Sequence, residues 1–135
     1  MLSLSPTDFI AHNIRLPDGS LTMQGQPLAE SSLCTSVVRS LNLFCPIGGG
    51  RQPRVADLGC LEGGYALAIA QAGYETLGIE GRQANVDKCN YLASLFQLPN
   101  LSFVRDDVRN LASYGRFDAI SAAGSSVTWI SPSGS

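Results

Sequence analysis

Three carboxylates, Asp57, Glu80 and Asp107, each stand where a strand-like run gives way to a turn. Asp57 opens Asp57-Leu58-Gly59-Cys60-Leu61-Glu62-Gly63-Gly64, between the strand-like Arg54-Val55-Ala56 and the small apolar run Tyr65-Ala66-Leu67-Ala68-Ile69-Ala70. Gly59 and Gly63 let the main chain turn sharply and approach a ligand where a side chain would intervene. A strand, a glycine-bearing turn and a helix in that order offer backbone N–H groups to a nucleotide-like ligand. Glu80 ends Leu77-Gly78-Ile79-Glu80, 23 positions after Asp57, and its carboxylate can accept two hydrogen bonds at once from a ribose diol. Asp107, one strand further on, can accept from an exocyclic amine such as that of adenine, and the N–H of Val108 can meet the adjacent ring nitrogen. Together these groups describe a pocket for an adenosine with a charged tail. Taken singly, Asp57 also reads as a helix-side cap, and Glu80 and Asp107 as solvated strand-end acids. Their joint placement at three successive strand ends favours the site.

The elements that must position these residues alternate. Strands are expected at about 54–58, 75–79, 101–104 and 117–120, with helices at about 63–72 and 83–97. Val86, Cys89, Leu92, Ala93 and Phe96 recur at helical spacing, and Leu98-Pro99-Asn100 ends that helix. Such alternation means parallel strands joined by crossover helices, an open doubly wound α/β sheet. The strand order 3-2-1-4 puts a ligand crevice at the carboxyl ends of the first three strands. Residues 1–53 form a separate N-terminal piece and possible lid. Asp18-Gly19 between two short alternating runs signals a hairpin over Ile14–Met23, with Pro17 keeping its first run short. A helix over 28–44 carries the stripe Leu33, Val37, Leu41 and Phe44. This helix and hairpin are expected beside the first strand, partly covering the crevice. The glycine- and proline-rich Pro46–Pro53 then leads to the sheet.

The 135 residues suit one domain, and 44% apolar content suffices for a core. A formal charge of −2 gives no electrostatic reason to expect nucleic-acid binding. Cys34, Cys45, Cys60 and Cys89 lack CxxC spacing and read as buried free thiols of a reducing compartment. No metal site is expected. No signal-peptide pattern or apolar run near ~18 residues is present, so a soluble, cytoplasmic protein is expected, its oligomeric state open. Tyr65, Tyr91, Tyr114 and Trp129 read as packing or surface aromatics.

Val55-Ala56-Asp57-Leu58-Gly59-Cys60-Leu61-Glu62-Gly63-Gly64 resembles the first motif of the class I S-adenosylmethionine-dependent methyltransferases, a Rossmann-like family. Gly78-Ile79-Glu80-Gly81-Arg82 is similar to the second motif, whose acid holds the ribose. Arg105-Asp106-Asp107-Val108-Arg109-Asn110-Leu111 matches the third, whose acid and following N–H read adenine. Tyr114-Gly115-Arg116-Phe117-Asp118-Ala119-Ile120 looks like the entry to strand four. The resemblance spans about 54–120 and implies S-adenosyl-L-methionine as cofactor, held by Asp57, Gly59, Cys60, Gly63, Glu80, Gly81, Asp107 and Val108. It implies methyl transfer to an acceptor it does not identify. Leu61 stands where the family's middle glycine usually sits. No general base is nominated: His12, the single histidine, is a possible base in the N-terminal lid but reads first as a surface residue. Two alternatives are a non-catalytic cofactor-binding remnant and an NAD-dependent oxidoreductase. The latter's G-x-G-x-x-G fingerprint is not the G-x-x-x-G found here.

The family's sheet has seven strands, and the pattern here breaks after the fourth. Ser121–Ser135 holds six serines and no charge and is expected to be irregular, not the native continuation of the fold. Codons for Ser126-Val127-Thr128-Trp129-Ile130 can read Leu-Cys-His-Leu-Asp in a shifted frame, resembling the Leu-Tyr-His-Leu-Asp run after strand four in many of these enzymes. A truncated or frame-shifted chain is therefore expected, with strand four an exposed apolar edge and one sheet face short of helices.

Overall fold

The structure is a computed structural model, described over residues 3–50, 52–122 and 126–129, the last four by their backbone alone. A short 3-10 turn, Leu28–Glu30, precedes α1 (Ser32–Phe44). Then follow β1 (Arg54–Leu58), α2 (Gly64–Gln71), β2 (Glu75–Glu80), α3 (Gln83–Phe96) and β3 (Leu101–Arg105). A 3-10 segment, Val108–Tyr114, leads to β4 (Ala119–Ala122) and β5 (Ser126–Trp129). The sheet order is β3-β2-β1-β4-β5. The first four strands are parallel in the expected order 3-2-1-4, and β5 runs antiparallel to β4.

Strand alternation sorts the core into two layers. Val55 of β1 and Ala119 of β4 pack with Val37 and Leu41 of α1 and Ile69 of α2. Leu92 of α3 and Leu101 of β3 extend that layer, joined by Phe9, Ile14 and Leu16 of the N-terminal segment. On the opposite face, Ala56, Leu77 and Ile79 meet Phe117 and, from the 3-10 segment, Leu111 and Tyr114. Among the described residues, α1, α2 and α3 thus share one face, and the second is covered by the 3-10 segment.

Four local expectations change. β4 begins two residues late because Phe117 and Asp118 hold the base of β1: Asp118 Oδ2 accepts the Arg54 N–H at 2.8 Å, and the Arg54 guanidinium lies 4.3 Å from the Phe117 ring centre. The line buried by α1 is Cys34, Val37 and Leu41, while Leu33 (47%) and Phe44 (60%) are exposed. The helix starts only at Ser32, capped by the Ser31 hydroxyl accepting the Cys34 N–H at 3.2 Å, and its inward line keeps Val37 and Leu41 of the expected stripe, adds Cys34 and leaves out Leu33 and Phe44. Third, the stretch expected to be irregular supplies paired strand: Ser121 and Ala122 register with Asp57 and Leu58 of β1, and Ser126–Trp129 pairs with β4. Fourth, β4 is consequently not an open edge, because β5 saturates its outer backbone groups. The rest of the tail, and the proposed frame change within it, lie outside the described residues. The N-terminal hairpin is reduced to one bridge, Arg15 with Leu21, around Asp18-Gly19. No helix among the described residues is long and apolar enough to cross a membrane.

Candidate cofactor site

The loop between β1 and α2 turns through three left-handed residues: Gly59 (φ 64°), Leu61 (φ 52°) and Gly63 (φ 93°). A β-carbon on Gly63 would stand 3.1 Å from the Phe103 ring and 3.2 Å from Cys89 Sγ, so glycine is needed for space as well as for φ. At Gly59 the space is open, with nothing within 4 Å of such a carbon. Leu61 replaces the expected middle glycine yet keeps the left-handed conformation, its side chain 40% exposed. The loop is pinned to β2 by the Gly59 and Cys60 N–H groups, which donate to the Ile79 carbonyl at 2.8 and 3.1 Å.

Glu80 is nearly buried, and its carboxylate faces this loop. Oε1 accepts the Leu61 N–H at 3.1 Å, while Oε2 accepts the Arg82 N–H at 3.1 Å and Asn85 Nδ2 at 3.0 Å. The acid ending the second strand therefore touches the loop ending the first. Gly81 follows, its missing β-carbon position 4.0 Å from the Asp106 carbonyl. The Asp106 N–H donates to the Glu80 carbonyl at 3.1 Å, bringing the third motif alongside the second.

Asp57 is 0% exposed, and neither of its carboxylate oxygens has a hydrogen-bond partner among the described residues. Ser121, opposite it in register on β4, is also buried and its hydroxyl is unpartnered. Burial raises the Asp57 carboxyl to about 7; the nearby Ser121 hydroxyl opposes the rise without reaching hydrogen-bond geometry. A buried, unpartnered acid at the end of β1 suits a cationic group, which would supply the missing charge. The residues fit a ligand with a cationic tail and a ribose.

Asp107 is committed differently from expectation. It caps the 3-10 segment by accepting the Arg109 N–H at 2.8 Å, and it pairs with the Arg109 guanidinium at 2.7 Å. The Arg109 hydrogen bonds hold its carboxyl at about 2. Asp106, its neighbour, accepts from the Tyr114 hydroxyl and from Asn110 Nδ2. Val108 stands at the rim, 40% exposed.

All four cysteines are buried and reduced. Cys60 Sγ lies 3.8 Å from Cys89 Sγ, and Cys89 donates to the Leu61 carbonyl at 3.1 Å. The Cys89 sulfur and burial push the Cys60 thiol far up. Burial, with Asp57 nearby, raises the Cys34 thiol to about 11. No group of three or more His, Cys, Asp or Glu able to hold a metal is found among the described residues.

Two residues of the site escape the sequence reading. His12 is not on the surface but 5% exposed, its Nδ1 accepting the Gly64 N–H at 3.0 Å at the start of α2. The Nδ1 acceptor role puts the ring proton on Nε2, and burial lowers the pKa against the opposing field of Glu62. Glu62 is 1% exposed and accepts N–H groups of Ile10, Ala11 and His12 at 2.8–2.9 Å and Lys88 Nζ at 2.8 Å. Burial works against its charge, yet Lys88 and the three N–H donors hold its carboxyl below the ordinary range. A carboxylate just before Gly63-Gly64 was the available signal; its backbone partners lie about 50 positions upstream and Lys88 26 positions downstream, beyond any local pattern.

Comparison with known proteins gives the family and the fold. Residues 55–134 match the family described as a methyltransferase domain, and the chain belongs to that family: it is a class I S-adenosylmethionine-dependent methyltransferase domain with a Rossmann-like fold. The 23S rRNA (uracil(1939)-C(5))-methyltransferase RlmD of Thiobacillus denitrificans is 31% identical over 115 residues, covering 78% of this chain and 26% of its own length. Among solved structures, the N-terminal domain of EvdMO1 with SAH bound is 31% identical at a TM-score of 0.55, covering 67% of this chain and 37% of that one. WbdD is 26% identical at a TM-score of 0.56, covering 68% of this chain and 21% of that one. The chain thus spans about a quarter of the length of the rRNA methyltransferase.

Proposed function

We propose that Asp57, Gly59, Cys60, Gly63, Glu80, Gly81, Asp107 and Val108 line the S-adenosyl-L-methionine site of this domain. The observation that carries the reading is the 3.1 Å hydrogen bond from the Leu61 N–H to Glu80 Oε1, which puts the ribose-type acid against the glycine loop. Glu80 takes the ribose hydroxyls, and the glycine loop approaches the methionine end. Asp57 faces that end as the counter-charge. Gly81 leaves room for the adenosine, with Asp107 and the Val108 N–H reading the base edge. For Asp107 to accept an adenine amine, it must share one of the two oxygens that both now accept from Arg109.

The cofactor supplies a methyl group already activated on a sulfonium, passed to a nucleophile by in-line displacement, so the protein contributes mainly position and electrostatics. No base among the described residues is assigned. His12 as placed offers an Nε2 proton rather than a basic lone pair. The acceptor is assigned no class: the rRNA substrate belongs to the relative, and a net charge of −2 gives this segment no pull toward RNA phosphates. Four buried, reduced thiols support a reducing, cytoplasmic setting. Calorimetric titration with S-adenosylmethionine, its demethylated product SAH and NAD tests the reading. Binding of the first two and not NAD is expected; tighter binding of NAD would overturn it in favour of an oxidoreductase.

A further inference from the structure

We infer that Glu62 is a positioning residue of the cofactor site, coupling the ribose-facing Glu80 to residues 9–14, so that this N-terminal strap is part of the site. The inference rests on the assignment of Glu80 and the glycine loop to the cofactor.

Leu61 and Glu62 are consecutive and are tied in opposite directions. The Leu61 N–H is held by Glu80 Oε1 at the end of β2. The Glu62 carboxylate reaches away from the sheet, where Ile10, Ala11 and His12 turn three successive N–H groups onto it and Lys88 of α3 adds a fourth donor. Successive N–H groups converging on one carboxylate form an anion-binding concavity. Two residues on, the Gly64 N–H donates to His12 Nδ1. Within four residues the loop therefore makes one link to the sheet and two kinds of link to the strap. Leu61, between those anchors, is a non-glycine residue at φ 52°, a conformation that persists when its surroundings over-determine it.

The strap cannot shift independently of the loop. Phe9, Ile14 and Leu16 on either side of the concavity are buried against Ala66 and Leu67 of α2 and Leu92 of α3. A ribose hydroxyl arriving at Glu80 Oε1 shares the oxygen that holds Leu61, since each carboxylate oxygen accepts about two bonds. Any tightening or shift there passes through one peptide unit to Glu62 and on to the amides of residues 10–12.

Amide hydrogen exchange on the full chain, with and without SAH, combined with SAH calorimetry, tests this. In the wild-type protein SAH is expected to slow exchange at residues 10–12 by tenfold or more. Glu62→Gln keeps the shape but turns an NH2 group toward donors, so these amides should exchange faster and SAH affinity should fall by about tenfold or more. Lys88→Arg keeps the positive charge beside Glu62 and the three N–H bonds, and should retain both the protection and most of the affinity. Wild-type protein that binds SAH with unchanged exchange at 10–12 overturns the inference, even if the Gln variant fails to fold. So does a Gln variant whose strap loosens while SAH binds as before. Wild-type protein that does not bind SAH removes the cofactor assignment itself, and the coupling with it.

Discussion

Glu80 and Leu61 are joined by a 3.1 Å hydrogen bond between the end of β2 and the loop that follows β1. The same carboxylate holds the Arg82 N–H and Asn85 Nδ2 at the start of α3. It is therefore both the proposed ribose acceptor and the clasp of the crevice.

Glu80→Ala should lose on both counts. Hydrogen bonds to a charged acceptor are worth about 1.5–3 kcal/mol, so SAH affinity should fall roughly tenfold to hundredfold by calorimetry. Three orphaned donors should also lower stability by about 1–3 kcal/mol in urea unfolding. An unchanged SAH affinity would remove Glu80 from the site.

Asp57 should make both binding and stability depend on pH. Its carboxyl is raised to about 7 in the folded chain, against ~3.9 when unfolded. Between those values the folded state holds a proton that the unfolded state has lost, so this residue's contribution to stability falls as pH rises from ~4 to about 7 and is level above. Asp57→Asn should flatten that part of the profile, measured as the difference in urea midpoints across pH. Affinity for the cationic cofactor should rise with pH through about 7 in the wild type and not in Asp57→Asn.

Gly78→Ala should destabilise the junction of β2 and β3. A β-carbon there would stand 2.5 Å from Phe103 Cδ1 and 2.9 Å from Cys60 Sγ, an overpacking that costs about 1–3 kcal/mol. Phe103→Leu in the same chain should recover part of the loss. Additive destabilisation in the double mutant would show that the ring is not the obstacle.

The thiols should be slow to alkylate in the native chain. Cys34 is raised to about 11 and Cys60 is raised further by Cys89 and burial, so thiolate is scarce at pH 7–8. Mass spectrometry after brief iodoacetamide treatment should find both unmodified in buffer and labelled in urea. Rapid native labelling of Cys60 would mean the glycine loop opens readily.

Much of the proposed site can be picked out along the chain because its markers are local. The glycines of 59–64 and the acids at 57, 80 and 106–107 sit at the ends of short runs, and parallel β-α-β units carry such ends to one edge of the sheet. Strand order followed from the same rule. The structure alone decided what depends on partners distant in sequence. Glu62 and His12 look like ordinary polar residues until folding sets the 10–12 amides over the glycine loop. Of the α1 stripe, Val37 and Leu41 are buried as the spacing predicts while Leu33 and Phe44 at its ends are exposed, because periodicity gives the spacing and tertiary packing decides how far along the helix the face is covered. The strand-end position of Asp107 gave no hint of its Arg109 pairing. A serine-rich segment without charge looks irregular until the open side of β4 offers it a backbone to pair with. Local pattern determines which elements form and where their ends meet; long-range hydrogen bonds and burial decide what each side chain there is held by.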